Sequence, residues 1–207
     1  MSLIHTVKKL SKTVSFIKTV PVYLCYLHSP SRELIKMDID RWVEVTSDVV
    51  QPEKSDIAAL SRLLSTQKAF RNLVLNRMKK PPRSVKSAFQ WWVTRRLWKP
   101  LDSLSLSTYN IGRGLFIQHG FSSVLDAEAV GENCWLNQQV TVGYSGSEHP
   151  ILEDNVTIHA GAIVIGGVTM HKNSTAAAGA VVVKDVPENA IVGGVPATVL
   201  KYKQVEQ

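Results

Sequence analysis

Apolar positions recur along this chain with two different periods, and the change falls near Pro100. Before it, LIHTVKKLSKTVSFIKTV sets Leu3, Ile4, Val7, Leu10, Val14 and Ile17 at three- and four-residue steps, with Lys8, Lys9, Lys12 and Lys18 between them. That spacing predicts a helix, which Pro21 is expected to end or interrupt. A second helical stretch, SDIAALSRLLSTQKAFRNLVLNRMKK, has Ser55 placed as an N-cap and Pro81-Pro82 as a stop. A third, SVKSAFQWWVTRRLW, stops before Pro100, and VEVTSDVVQPEK between the first two reads as a connection.

After Pro100 the period becomes six. Leu152, Ile158, Val164, Met170, Ala176 and Val182 hold one frame. Four residues after each stands a small or branched one: Val156, Ala162, Val168, Ser174, Ala180 and Val186. Upstream the frame runs Ile111, Ile117, Val124, Val130, Leu136 and Val142, with one extra residue between 117 and 124 and four between 142 and 152. Six is neither the period of a strand nor that of a helix; it marks an internal repeat. The pattern predicts a solenoid of short strands and tight turns, with one residue per hexad pointing into a narrow core. At three hexads to a coil the prism has about four coils. Residues 144–150, YSGSEHP, are turn-rich and must bulge out of it.

Stacking the hexads that start at 117, 136, 158 and 176 puts His119, Gln138, Ala160 and Ala178 in one column, successive coils lying about 4.8 Å apart. A titratable group heads it, and two residues with almost no side chain continue it. A groove along that edge could take a long, narrow ligand against bare backbone amides.

Composition narrows the setting. The 207 residues are 44% hydrophobic and 20% charged, a globular balance. No apolar run is long enough for a membrane-spanning helix, and no small-residue cleavage site follows an apolar core, so a cytoplasmic protein is expected. Cys25 and Cys134 lack metal-ligand spacing and read as buried free thiols. Charge is split: residues 1–100 hold 19 Lys+Arg against 7 Asp+Glu, residues 101–207 hold 5 against 10. The basic part could meet an acidic polysaccharide or, through residues 3–20, the anionic inner membrane surface as a peripheral contact. Nucleic acid is not expected, since no binding module accompanies the charge.

The hexads, together with GAVVVKDVPENAIVGGVPATVLK, resemble the hexapeptide-repeat acyltransferases. The resemblance implies a left-handed parallel β-helix over 101–207 behind an α-helical N-terminal region over 1–100. LFIQHGFSSVL followed by EHPILEDNVTIHAGAIVIGGVTM is similar to the serine acetyltransferases. It is more similar still to their relatives that O-acetylate bacterial exopolysaccharides and capsules, such as the colanic acid acetyltransferases. KAFRNLVLNRM is similar to the same group; the similarity spans roughly 65–203 and is strongest over 111–200.

That family implies acetyl-CoA as co-substrate along the column edge, touching Ala160, Ala178, Val183, Lys184 and Lys201, with Gln138 and Gly143 beside them. It implies a homotrimer with active sites between prisms, and the outward row Ile163, Ile165, Val181 and Val183 suits such an interface. His119 would then act as general base, since a neutral imidazole with a pKa of about 6.5 can take a proton from an attacking hydroxyl. The resembling enzymes carry an extruded loop histidine where this chain has His149, which joins the site to hold the acceptor hydroxyl or the thioester. No cysteine lies near the motif, so direct transfer is expected, with a backbone amide at the oxyanion. His159 and His171 read as surface residues; a zinc site of the carbonic anhydrase branch is not expected, nor any other metal.

Departures from the serine enzymes set the acceptor. Gln118 stands where they have an aspartate, Glu148 where they have an arginine, and LSLST where an aspartate orients the histidine. Both charge partners of an amino acid are lost, so a neutral sugar hydroxyl of a capsular or exopolysaccharide is the expected acceptor; Phe116 and Trp135 could stack on its ring or equally be buried against another subunit or the helical part. The alternatives are a serine O-acetyltransferase and a non-catalytic assembly scaffold.

Overall fold

Five helices precede a stack of short strands in the computed structural model, which describes residues 3–47, 55–79 and 85–204. The chain divides into two units, Met1–Pro100 and Leu101–Gln207. The helices are α1 (Leu3–Leu27), α2 (Arg32–Thr46), α3 (Asp56–Thr66), α4 (Lys68–Lys79) and α5 (Val85–Leu97).

Pro21 does not end α1, which runs on to Leu27. Val22, Cys25 and Tyr26 beyond it are buried, and tertiary packing outweighs the one hydrogen bond that proline forfeits. α2 forms on Ile35, Ile39 and Trp42, a four-then-three spacing that buries one face and takes in the first residues of the expected connection. The stretch from Ser55 is two helices, because Gln67 is extended (φ −111°, ψ 92°). Ser55 sits at the N-cap position, yet its side chain makes no capping bond. Residues 48–54 and Pro81-Pro82 lie outside the described residues. The core of this unit includes Trp42 against Phe70, rings 5.1 Å apart, and a fully buried ion pair between Arg77 Nε and Asp38 Oδ2 at 2.8 Å. No described helix is long and apolar enough to cross a membrane.

The second unit is a parallel β-solenoid with three walls. The first wall holds β1 (Leu104–Leu106), β3 (Ser123–Leu125), β6 (Thr141–Gly143), β9 (Ile163–Ile165) and β12 (Val181–Val182), stacked in that order. The second holds β4 (Ala129–Val130), β7 (Ile151–Leu152) and β10 (Thr169–Met170), extended by single bridges at Ile111 and Val186. The third holds β2 (Phe116–Ile117), β5 (Trp135–Leu136), β8 (Thr157–Ile158), β11 (Thr175–Ala176) and β13 (Ala190–Gly194), closed by β14 (Ala197–Tyr202) running antiparallel to β13. The stack makes about five coils rather than four, because the first wall opens at Leu104, ahead of the first hexad of the frame.

From 152 to 182 every framed residue is at most 2% exposed. Upstream the frame needs one correction: Val124 is 40% exposed and Leu125 1%, and it is Leu125 that pairs with Val142. Adjacent strand residues face opposite sides, so a slip of one exchanges wall and core.

Corners carry left-handed backbone. Between the second and third walls the turn residues are Gly114, Asn133, Asn155, Asn173 and Asn189, with φ of 55–73°. Asparagine tolerates that region better than other residues with a side chain. Coils approach so closely there that a Cβ on Gly112 would lie 2.6 Å from the Gly131 carbonyl carbon.

Candidate active site

His119 lies at the corner where the third wall turns into the first. Phe116 pairs with Trp135, Ile117 with Leu136, Leu136 with Ile158, and Ile158 with Ala176. Two residues further on, that register aligns His119, Gln138, Ala160 and Ala178. His119 is exposed and adopts φ 65°, while the Gly120 N–H donates to the Gln118 carbonyl at 2.8 Å. The other coils reach positive φ one residue later, at Gln139, Gly161 and Gly179. A side-chain-bearing residue held in the left-handed region at the head of the column is an outlier of the kind that collects at working sites.

The column leaves room beside it. A Cβ built on Gly179 would meet nothing within 4 Å, and one on Gly161 only the Gly179 nitrogen at 3.9 Å. Gln138 and Ala160 are half-exposed and Ala178 is exposed. Lys184 and Lys201 are exposed, on the last coil and on β14. Lys203 turns inward, donates to the Asn173 carbonyl, and has its pKa lowered by burial. Gly143 is buried at the end of β6, and Val183 sits just beyond β12, so neither belongs to the His119 column.

Residues 144–150 form a second feature at the corner between the first and second walls. Ser145 and Glu148 exchange N–H···O bonds of 3.0 and 3.2 Å across a turn in which Gly146 has φ 64°. The buried Pro150 returns the chain to the stack, its carbonyl accepting the Glu128 N–H at 2.9 Å. His149 is left between Tyr144, ring centroids 5.1 Å apart, and Asp126, whose Oδ1 is 3.5 Å from Nδ1. A cavity of about 790 Å³ opens here, lined by Asp126, Glu128, Glu148 and His149 together with Thr108 and Tyr109. No lysine or arginine lines it among the described residues. The Glu148 carboxylate overhangs Gly167, where a Cβ would come within 2.8 Å of Oε2.

The chain therefore holds its two expected catalytic histidines at different corners, on either side of the first wall. The outward face between them carries Val124, Ile165 and Val183, 37–46% exposed. Asp126 is a site residue that the hexad pattern missed. Its partner comes from a loop outside the repeat, and the only sequence signal was an acid where the frame passes from Leu125 to Val130. Gln118 is half-exposed next to His119. Among the described residues no carboxylate stands within ion-pair distance of His119, and no cluster of three metal-ligating side chains forms. Cys134 is buried, and burial pushes its thiol up to about 12, so it stays protonated and inert.

The expected sugar platform is not there. Phe116 is only 6% exposed and is tilted against Trp135 at 4.6 Å. Trp135 spends its indole N–H on Asn137 Oδ1 at 2.9 Å.

No family model matches the chain. Segments of 95–96 residues are 41% identical to serine acetyltransferases of Synechococcus elongatus and Staphylococcus xylosus, covering 44% of this chain and 39% and 44% of those proteins. The chain thus spans less than half the length of these curated relatives. Among solved structures, serine acetyltransferase of Brucella abortus strain S19 aligns with a TM-score of 0.62 at 26% identity, over 82% of this chain and 68% of that one. The Neisseria gonorrhoeae and soybean serine acetyltransferases share the fold, with TM-scores of 0.64 and 0.65 at 22% and 20% identity, over 94% and 91% of this chain and 80% and 83% of theirs. Relatives and neighbours alike are serine acetyltransferases, which overturns the expectation of a capsular or exopolysaccharide acceptor.

Proposed function

We propose that this chain is an acetyl-CoA-dependent serine O-acetyltransferase. The observation that carries the reading is the exposed His119 at the head of a column of small residues in register, on a solenoid like those of serine acetyltransferases.

In this reading the thioester lies along the His119 corner, its pantetheine amides pairing with backbone at Ala160 and Ala178, and Lys184 and Lys201 meeting its phosphates. His119 accepts the serine hydroxyl proton as the oxygen attacks the acetyl carbonyl. The tetrahedral intermediate collapses, the C–S bond breaks, and the departing sulfur takes the proton back from the imidazolium. Gln118 and Gln138 flank the histidine as hydrogen-bonding neighbours. His149 binds the acceptor, and Asp126 and Glu128 beside it favour the serine ammonium.

Because His119 and His149 stand at different corners, the reading requires a second copy. A homotrimer that covers the apolar face around Val124, Ile165 and Val183 joins one protomer's His119 to its neighbour's His149.

The test is thiol release from acetyl-CoA with L-serine, with O-acetylserine identified by mass spectrometry. Serine-dependent release that His119→Ala abolishes is the expected result. Absence of serine-dependent release from the native protein overturns the assignment.

A further inference from the structure

Among the described residues His149 faces a carboxylate, and His119 has none within ion-pair distance. We propose that Asp126 is the positioning residue of His149, holding the ring with its proton on Nδ1 and leaving Nε2 as a hydrogen-bond acceptor turned to the acyl acceptor. The inference rests on the acyl-transfer reading for its kinetic consequence but not for its geometry.

Asp126 stands on unusually firm backbone. Three consecutive N–H groups are tied: Asp126 to the Val142 carbonyl at 2.9 Å, Ala127 to Thr108 Oγ1 at 2.8 Å, and Glu128 to the Pro150 carbonyl at 2.9 Å. Thr108 itself is 2% exposed. The last of these bonds reaches the residue that follows His149, so the backbone carrying the acid and the backbone carrying the imidazole are directly linked. On its other side His149 is bounded by the Ser145–Glu148 bridge and by the Tyr144 ring. The side chains are 29% and 37% exposed, and both line the cavity, so neither is shut away from a ligand. The charged groups facing His149 among the described residues are Asp126, Glu148 and Glu128, and the titratable rings are Tyr144 against it and Tyr109 in the cavity wall.

A separation of 3.5 Å is ion-pair range, a few tenths longer than a good hydrogen bond, and such contacts tighten when substrate closes the site. A carboxylate opposite one ring nitrogen fixes the proton there and frees the other lone pair. The consequence is a choice between ligands. With Nε2 unprotonated, His149 takes a hydrogen bond from the acceptor's hydroxyl or ammonium, and it cannot donate one to the thioester carbonyl.

Nitrogen-15 NMR of the imidazoles in the full-length protein reads the tautomer directly, with His149→Gln used to assign the signal. In the native protein the neutral His149 ring is expected with its proton on Nδ1, and in Asp126→Ala the proton moves mainly to Nε2. With acetyl-CoA and serine, Asp126→Ala is expected to lower kcat about 10–100-fold, with the KM for acetyl-CoA within about two-fold, as loss of an orienting partner typically does. Asp126→Glu, which keeps the charge, restores the tautomer and most of kcat. An unchanged tautomer in Asp126→Ala, or kcat within two-fold of native, overturns the proposal. Should the native protein release no thiol with serine, the acyl-transfer reading fails and the tautomer alone still decides the role of Asp126.

Discussion

The helical unit and the solenoid bury apolar side chains in opposite ways. In the helical unit core residues meet across helices, as Trp42 of α2 meets Phe70 of α4, and a fully buried Arg77–Asp38 pair joins the same two helices. In the solenoid a core residue meets its equivalents one coil up and one coil down, as Ile158 stands between Leu136 and Ala176. Charge is kept out of that column, and polar chemistry is pushed to the corners. The first unit is specified by particular partners, the second by repetition. A site can be added at a corner of the second without disturbing what holds it together.

The largest effect that sharpens this contrast is on activity alone. His119→Ala should reduce serine acetylation by about 10²–10⁴-fold, equivalent to about 3–5 kcal/mol of barrier, while the urea midpoint of the protein stays within error. A clear fall in that midpoint would mean the corner is structural after all. Next comes the buried pair. Asp38→Ala takes the buried carboxylate away from the Arg77 guanidinium, and should cost the helical unit about 3–5 kcal/mol. The two cysteines report which unit is affected, since Cys25 is on α1 and Cys134 in the solenoid, both buried with burial raising both thiols. Labelling should quicken at Cys25 and not at Cys134; equal quickening would show that the units unfold as one. The double replacement Asp38→Leu with Arg77→Met should recover most of the loss.

A smaller effect tests the corners. Asn155→Ala forces a β-carbon without a helpful amide into φ 59° and should cost about 1–2 kcal/mol in urea unfolding, whereas Asn155→Gly should be nearly neutral. The smallest concerns the acceptor. Glu148→Arg places a cation at a partly exposed cavity wall that has none among the described residues, and should lower the KM for serine up to about five-fold, with kcat little changed. A raised KM would show that Glu148 itself binds the acceptor.

The same contrast explains what the sequence could reveal. Residues 152–182 announced the solenoid because each framed position is almost wholly buried and tolerates only aliphatic or small residues. The frame failed at Val124 because its neighbour Leu125 is equally aliphatic, and only stacking on Val142 decides which one faces inward. The Asn133, Asn155, Asn173 and Asn189 corners were legible too, as a second repeat offset from the first, but they require left-handed turns to be read alongside hydrophobicity. In the helical unit Pro21 suggested a break that packing at Val22 and Tyr26 overrides, and Gln67 broke a pattern that looked continuous. The His119 column followed from register alone. Asp126 did not, because it meets His149 through an excursion whose path no periodicity describes. The acceptor was not legible, because Gln118 and Glu148 depart from the serine enzymes in the sequence while the carboxylates beside His149 come together only in the fold.

One consequence follows from β14. A stack of parallel rungs has no intrinsic length: the top of every coil presents the hydrogen-bonding groups on which another coil could be laid. By reversing direction and pairing antiparallel with β13, β14 occupies the third wall's last edge and breaks the parallel register on which another rung would be laid. It acts as a terminator, in the sense a polymer chemist would use. A chain cut before Ala197 would keep its rungs and lose its stopper, leaving a growing end that invites end-to-end fibres instead of a finished particle.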